Sequence, residues 1–408
     1  MKRKIFIWAQ IIVAAALLGL LVGHTVENLP QKDEKAKYIF LFIGDGMGNS
    51  HAAATESYLS YKAGQRGAGK LSFTHFPFLG LCTTFSANRD ITDSAASGTA
   101  IACGAKTKNG RIGVDKEGEN LQSVAYALKD EGYKIGIMSS VPINHATPAA
   151  FYGHNLKRGN YYSISREIPA SGFDFFGGAG FLDFNGKDGN EEDIDSYLKQ
   201  NGYTVCYGID EFNANAQNTD NIVFCQESKR KKSADNYVSD GKEIKDATLA
   251  EIVSLAINYL GDDKPFFIMC EGGAIDWSAH DNRIMSMVEE VIALDDAVKQ
   301  AYEFYLAHPD ETLIIVTADH ETGGLSLGTK DGGSNIKWDE LEKEWVESGK
   351  KNVLESKENL AFNKSCSIGW TSTGHTGAPV PVYAIGKGAE KFAGRLDNTE
   401  IKGKILAK

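Results

Sequence analysis

Cysteine is scarce in this sequence, and the spacing and positions of the few cysteines argue against several kinds of site. The chain of 408 residues has six cysteines, at positions 82, 103, 206, 225, 270 and 366. No two of them have the Cys-x-x-Cys spacing, which argues against cysteine-ligated zinc. None precedes Cys82, so the N-terminal segment has no cysteine to carry a lipid. If the chain is exported, disulfides are permitted, and Cys206 with Cys225 is the pair we predict.

Positive charge is also in short supply. Lys and Arg number 43 against 54 Asp and Glu, a formal net charge of −11. This balance argues against nucleic acid as a partner. It does not exclude anionic substrates, because bound cations can reverse the field inside one pocket.

The first thirty residues look like a targeting segment. Lys2-Arg3-Lys4 precede an apolar run over 5–23 in which only Gln10 is polar. We predict that 1–30 is a signal peptide or, if it is not cleaved, an N-terminal membrane anchor through 5–23. The protein is then exported, to the periplasm or the extracellular space, and 31–408 form a single catalytic domain.

Beyond position 30, strand-like and helix-like patterns alternate, which predicts an α/β fold. Its architecture should be a large, mostly parallel central sheet with helices on both faces. Two stretches break the alternation, at about 155–240 and 322–373, and both are interpreted as inserted loop or crown segments.

Three apolar runs end abruptly in acidic or histidine residues. They are 38–43 before Asp45, 265–270 before Glu271, and Thr312–Thr317 before Asp319 and His320. In an open parallel sheet, ligands collect beyond the carboxyl ends of the strands, so these side chains should converge. The pattern predicts a hydrolase with several metal ions.

Asp45 lies in the glycine-rich Gly44-Asp45-Gly46-Met47-Gly48. Such a loop also suits a dinucleotide phosphate. No acidic residue closes a second strand about twenty residues on, where the ribose would be held. A metal carboxylate is therefore the favoured interpretation of Asp45.

The strongest constellation is Glu271-Gly-Gly-Ala-Ile-Asp276-Trp-Ser-Ala-His280. Asp276 and His280 are four apart, so one helical turn of about 6 Å brings both onto one cation. A surface Asp–His pair is the alternative, but unpaired carboxylates directly after an apolar strand would be costly. His375, in a glycine-lined turn, is a further candidate ligand.

Ser94 opens a run of small residues, Ser94-Ala95-Ala96-Ser97-Gly98. Serine or Asp93 at this place is also an ordinary helix cap. The functional alternative is a nucleophile, because a helix N-terminus stabilises an alkoxide or a phosphate ester.

Together these motifs resemble the alkaline phosphatase family, from about Tyr38 to Gly386. The residues that carry the resemblance are Gly44-Asp45-Gly46-Met47-Gly48, Thr92-Asp93-Ser94-Ala95-Ala96, His145-Ala146-Thr147-Pro148, Glu271 to Asp276, Thr317-Ala318-Asp319-His320 and Gly374-His375-Thr376-Gly377. The resemblance implies hydrolysis of phosphate monoesters through a phosphorylated serine, two zinc ions and one magnesium ion. It also implies a homodimer.

The resemblance assigns a role to each matching residue. One zinc would take Asp276, His280 and His375; the second would take Asp45, Asp319, His320 and the nucleophile Ser94; magnesium would take Asp45, Thr147 and Glu271. Arg158, rather than Arg166, would clamp the phosphate, and Asp93 would support the site.

Two residues depart from some bacterial members of that family. His145 stands where those members have aspartate, and Trp277 where they have lysine. Both then lie just outside the metal ligands, and His145 could recruit zinc instead of magnesium to the third site.

Rival functions remain. A phosphodiesterase or sulfatase on the same sheet is disfavoured by Ser94 in place of threonine and by the lack of a Cys-x-Pro-x-Arg motif. An exported protein that only sequesters phosphate or metal would need the metal cluster but no activated serine.

Overall fold

The apolar runs of the sequence form the middle of one large sheet. A computed structural model describes residues 35–67, 69, 71–230, 246–349 and 356–407. Its strands are β1 Tyr38–Gly44, β2 Phe78–Thr83, β3 Lys134–Ser139, β4 Phe175–Gly178, β5 Thr204–Tyr207, β6 Ile222–Cys225, β7 Phe266–Gly272, β8 Thr312–Thr317, β9 Glu321–Thr322, β10 Ser326–Leu327, β11 Ile368–Gly369, β12 His375–Thr376, β13 Val380–Gly386 and β14 Gly394–Asp397.

Ten of these strands form the sheet, in the order β14-β2-β13-β8-β1-β7-β3-β4-β6-β5. Only β13 runs antiparallel to its neighbours within this sheet. Every residue of β1, β7 and β8 is buried, as continuous apolar strands covered on both faces require. The predicted α/β fold with a mostly parallel central sheet is confirmed.

Helices connect the strands. They are α1 Asn49–Lys62, α2 Ser94–Cys103, α3 Val124–Asp130, α4 Ala146–Ala149, α5 Tyr161–Ser165, α6 Ile168–Ser171, α7 Ile194–Gln200, α8 Gly208–Asn215, α9 Leu249–Leu260, α10 Ala274–His280, α11 Ile284–Ala307, α12 Trp338–Glu347, α13 Ser356–Ser365 and α14 Glu400–Leu406. In α9 a capping box of Thr248 and Glu251 starts the helix and Gly261 follows its end. The helix packs over β3 and β4 of the sheet.

The segment 155–240 differs from the predicted insertion. It supplies β4, β5 and β6, which extend the central sheet to its edge. These strands have four residues each, too short for their pattern to stand out among the surrounding Gly and Asn. The segment 322–373, by contrast, has its strands in small two-stranded pairs outside the large sheet.

The predicted disulfide is wrong. All six cysteines lie in the described ranges, and all six are buried free thiols. Cys206 on β5 is in register with Phe224 on β6, and Cys225 with Tyr207. Side chains alternate between the faces of a strand, so the two cysteines point to opposite faces of the sheet.

The predicted targeting segment over 1–30 lies outside the described residues. Among the helices that the structure describes, none has the length and hydropathy needed to cross a membrane.

Candidate metal centre

Three adjacent strands deliver the buried carboxylates of the site. β1 lies between β7 and β8, and the register aligns Ile43 with both Glu271 and Thr317. Asp45, Glu271 and Asp319 therefore emerge at one edge of the sheet, and all three are fully buried. The predicted convergence at the carboxyl ends of parallel strands is what brings them together.

The first cluster consists of Asp276, His280 and His375, whose ligand atoms lie within 4.8 Å of one another. Asp276 and His280 share one face of α10, with His280 Nε2 3.3 Å from Asp276 Oδ2. His375 starts β12, and its Nε2 is 3.1 Å from His280 Nε2. The three side chains present their coordinating atoms to one small volume.

Backbone carbonyls orient both of these histidines. His280 Nδ1 lies 2.5 Å from the Thr373 carbonyl, and His375 Nδ1 lies 2.8 Å from the Thr92 carbonyl. Each ring then donates from Nδ1 and directs Nε2 into the cluster. This is the usual arrangement of metal-binding histidine.

The second cluster consists of Asp45, Asp319 and His320. His320 Nε2 is 3.4 Å from Asp45 Oδ1 and 3.3 Å from Asp319 Oδ2. Asp319 Oδ1 accepts hydrogen bonds from the Gly46 and His320 amides, which fixes the carboxylate and leaves Oδ2 facing the cluster. Ser94 Oγ lies 3.2 Å from His320 Nε2.

The third cluster consists of Asp45, His145 and Glu271. Thr147 Oγ1 lies 3.4 Å from Asp45 Oδ2, and the Ser139 hydroxyl donates to Glu271 Oε2. Asp45 is thus common to the second and third clusters, one oxygen on each side.

The charge of these clusters calls for cations. In the described part of the chain, Asp45 Oδ1, Glu271 Oε1 and Asp319 Oδ2 are buried with no hydrogen-bond partner. Burial, together with neighbouring carboxylates, raises the pKa of Glu271 to about 7 and that of Asp319 to about 8. Divalent cations would supply the missing partners and keep the carboxylates ionised. The residues present therefore fit bound metal ions.

The protonation states of the histidines at the site also fit bound metal ions. Burial lowers the pKa of His320 and His375, so both rings are neutral and able to coordinate. His280 differs: burial lowers its pKa, but the hydrogen bond and the charge of Asp276, together with the Thr373 carbonyl, raise it to about 9 in the absence of a cation. A metal ion would displace that proton.

Ser94 is the first residue of α2 and is almost completely buried. Asp93 caps the helix by accepting from the Ala96 amide at 3.0 Å through Oδ1. Its other oxygen, Oδ2, lies 3.2 Å from Arg158 Nη1. Asp93 is therefore the helix cap, and Ser94 keeps its hydroxyl toward His320.

Arg158 reaches the cluster, whereas Arg166 does not. Arg158 Nη2 is 3.5 Å from His145 Nε2, beside the third cluster. Arg166 lies over the Tyr197 ring at 4.4 Å instead. His145 also contacts the Trp277 ring edge to face, with centroids 5.5 Å apart. Burial and the Arg158 charge lower the pKa of His145 to about 3, so its imidazole is neutral.

Two glycines make room for the site. Gly46 has φ +72°, and a Cβ there would lie 2.7 Å from Thr322 Oγ1 and 2.9 Å from Asp276 Oδ1. Gly98 lets α2 approach Thr147, whose Cα would lie 3.4 Å from a Cβ at that position. Larger residues at either position would push ligand-bearing segments apart.

Several supporting residues have no signal in the sequence motifs. Thr322 donates to Asp276 Oδ1 at 2.5 Å, and Ser139 donates to Glu271. Glu321 accepts from the hydroxyl of Thr376, which follows His375, and so ties β9 to β12. Their only hint is position, since Glu321 and Thr322 follow His320 directly and Ser139 ends β3.

The chain is similar to known proteins along nearly its whole length. A family model described as "Alkaline phosphatase" matches residues 36–179 and 187–408. Alkaline phosphatase 4 of Bacillus subtilis (strain 168) is 34% identical, over 98% of this chain and 95% of that relative. The alkaline phosphatase of the Antarctic bacterium TAB5 has a structure that superposes with a TM-score of 0.73 at 32% identity, over 91% of this chain and 98% of that one. A mutant of that enzyme, with glutamate in place of a histidine, has Mg bound in its M3 site.

Proposed function

The chain belongs to the alkaline phosphatase family, and we propose that it is an exported enzyme that hydrolyses phosphate monoesters through a phosphoserine on Ser94. Metal-dependent hydrolysis of phosphate monoesters is the activity that membership supports. The observation that carries the finer proposal is the position of Ser94 Oγ, at a helix start and 3.2 Å from His320 Nε2.

Two zinc ions and one magnesium ion are the cofactors we propose. Zinc suits the first cluster and the second, which combine neutral imidazole with carboxylate. Magnesium suits Asp45 and Glu271 in the third, which offer hard oxygen ligands together with Thr147. When bound, these cations would lower the pKa of the Ser94 hydroxyl and offset the charge of the leaving alkoxide.

The residues of the chain then have separable tasks. Ser94 Oγ attacks phosphorus, the ester P–O bond breaks, and the alcohol leaves with a proton. Water then attacks the phosphoserine, releasing inorganic phosphate and restoring the hydroxyl. Arg158, held by Asp93, grips two nonbridging phosphoryl oxygens throughout. Asp93 contributes by orientation rather than by proton transfer.

The charge of the pocket favours a monoester over a diester. A monoester dianion offers Arg158 and the cations one more negative charge than a diester. A diester also needs space for a second substituent. The substrates we propose are therefore small phosphate monoesters.

The test is hydrolysis of p-nitrophenyl phosphate beside its bis-ester at alkaline pH, before and after chelation. We expect the monoester to be the better substrate and its turnover to disappear on chelation and to return with Zn²⁺ and Mg²⁺ together. Preference for the bis-ester would indicate a phosphodiesterase. Bound metal without turnover of either ester would indicate a binding protein.

On this proposal, His145 sets which metal ion the third cluster prefers. Replacing it by aspartate adds a carboxylate beside Asp45 and Glu271, which favours a hard cation. We expect His145→Asp to bind more magnesium and less zinc at the third site, measured by metal analysis after dialysis against both ions. His154→Asp is the control, because His154 contacts Glu167 and the Leu121 carbonyl instead. An unchanged Mg-to-Zn ratio in His145→Asp would contradict the assignment.

Export, the targeting segment over 1–30 and a homodimer stay predictions, as does the division into that segment and a single catalytic domain over 31–408. The N-terminal residue of the mature protein recovered outside the cytoplasm would test the first two. The mass of that protein in solution would test the dimer.

A further inference from the structure

We propose that Asn282 is a positioning residue that sets the distance between the two stretches of chain forming the first cluster. One stretch is α10, which carries Asp276 and His280, and the other is the turn before His375. The inference rests on the proposed function, in which this cluster holds a zinc ion.

Asn282 stands at the point where α10 ends. Its amide donates to the Ala279 carbonyl at 3.0 Å, and the next amide, Arg283, donates to the Ser278 carbonyl at 2.8 Å. This pair of bonds is a Schellman motif, which requires a left-handed residue, and Asn282 has φ +52°. Glycine is the usual residue at this position and asparagine is an accepted one, but here the asparagine side chain makes hydrogen bonds of its own.

The side chain of Asn282 joins the helix to the His375 turn. Its Nδ2 donates to the Ala279 carbonyl at 3.0 Å and to the Ser372 carbonyl at 2.8 Å. Ser372 is three residues before His375, and the carbonyl of the intervening Thr373 orients His280. The carboxamide therefore bridges the same two segments that the cluster joins.

Helix α13 supports the turn from the other side. Asn359 Nδ2 donates to the carbonyls of Asp281 and Asn282, at 3.1 and 2.9 Å, and Asn363 Nδ2 donates to the Asn282 carbonyl at 3.2 Å. All three asparagines are buried. Asn282 and Asn359 each use both Nδ2 hydrogens in these bonds, so moving either side chain would leave a buried N–H unpaired.

Replacing Asn282 should therefore change the affinity for metal rather than the affinity for substrate. Asn282 does not touch the phosphoryl group in this arrangement; it acts through His280 and His375. Residues that support metal ligands typically change metal affinity by about 10- to 100-fold when they are replaced. A loosened first cluster should lose zinc before the other clusters do.

Asn282→Gly tests the role of the side chain separately from the role of the backbone turn. Glycine keeps the left-handed turn and removes only the bridge. We expect zinc at the first cluster to bind about 10- to 100-fold more weakly, measured by competition with a chelator of known affinity on the full chain. At saturating zinc, kcat should return close to wild type with KM unchanged. Asn201→Gly is the control, since exposed Asn201 follows the end of α7 and its Nδ2 donates to the Tyr197 carbonyl of that same helix.

Wild-type zinc affinity in Asn282→Gly would overturn the proposal, and so would an equal loss in Asn201→Gly. Should the glycine variant not fold, Asn282→Asp decides, because aspartate tolerates the turn and keeps the shape but lacks the donor to Ser372. Wild-type affinity there would also overturn it. Failure of the proposed function looks different: the wild-type chain itself would bind no zinc or would not hydrolyse monoesters.

Discussion

Ser94→Ala is expected to lower monoester turnover by on the order of 10⁴-fold or more, with the metal content unchanged. Alanine has no atom that can accept the phosphoryl group. The carboxylates and imidazoles of the three clusters stay as they are, since Ser94 contributes one oxygen beside His320. Turnover, metal analysis and trapping of labelled phosphoprotein in acid should be measured together. Wild type should retain the label, and the variant should not.

The control for that experiment is Ser123→Ala. Ser123 is another buried serine at a helix start, where it caps α3 through the Tyr126 amide. Its loss should reduce the free energy of unfolding by about 1 kcal/mol and leave turnover intact. Turnover near wild type in Ser94→Ala would eliminate the phosphoserine mechanism.

Asp45→Asn should have the second-largest effect, because one side chain serves two clusters. Its Oδ1 is 3.4 Å from His320 Nε2, and its Oδ2 is 3.4 Å from Thr147 Oγ1. Asparagine keeps the shape but loses the charge and one of the two oxygens. We expect bound metal to fall at both clusters and kcat to fall by on the order of 10³-fold.

In the metal-free protein, Asp45→Asn should leave the stability of the fold unchanged or raise it. Burial and the charges of Asp319 and Asp276 raise the pKa of Asp45 well above its usual range. A carboxylate whose pKa is raised by folding destabilises the metal-free fold as pH rises, so removing its charge should leave the melting temperature in chelator equal or higher. The stabilisation that added zinc gives wild type should shrink in the variant.

Asp295→Asn provides the comparison. Asp295 is also a buried aspartate, but it accepts from Ser72 and lies 3.0 Å from Lys299 Nζ. Asp295→Asn should destabilise the protein with and without metal and leave the metal content unchanged. If Asp45→Asn behaved like Asp295→Asn, its carboxylate would be structural rather than a shared ligand.

Much of the fold and the site is predictable from local sequence because the strands of this sheet run straight into the clusters. The apolar runs before Asp45, Glu271 and Asp319 mark strand ends even when the neighbouring strands of the sheet are unknown. Asp276 and His280 are predictable as a pair because helical spacing alone makes them neighbours. The long helices α9 and α11 follow from their apolar stripes for the same reason.

The errors fall where local patterns are weak. The edge strands β4, β5 and β6 have four residues each, and nothing in such short runs distinguishes sheet from loop. Cys206 and Cys225 are near in sequence and on neighbouring strands, but their opposite facing depends on register. Register is set by the pairing of the whole sheet, which no short window contains.

Contiguous motifs were enough to predict the class of fold, the family and the residue types of the candidate metal centre. The contacts between motifs came from the folded structure alone. Asp45 turns Oδ1 toward His320 and Oδ2 toward Thr147. Asp93 both caps α2 and holds Arg158, and Asn282 bridges α10 to the His375 turn. Hydrogen bonds and coordination act over about 3 Å in space, whereas these partners lie tens to hundreds of residues apart along the chain. Their meeting is a property of the folded sheet and not of any segment.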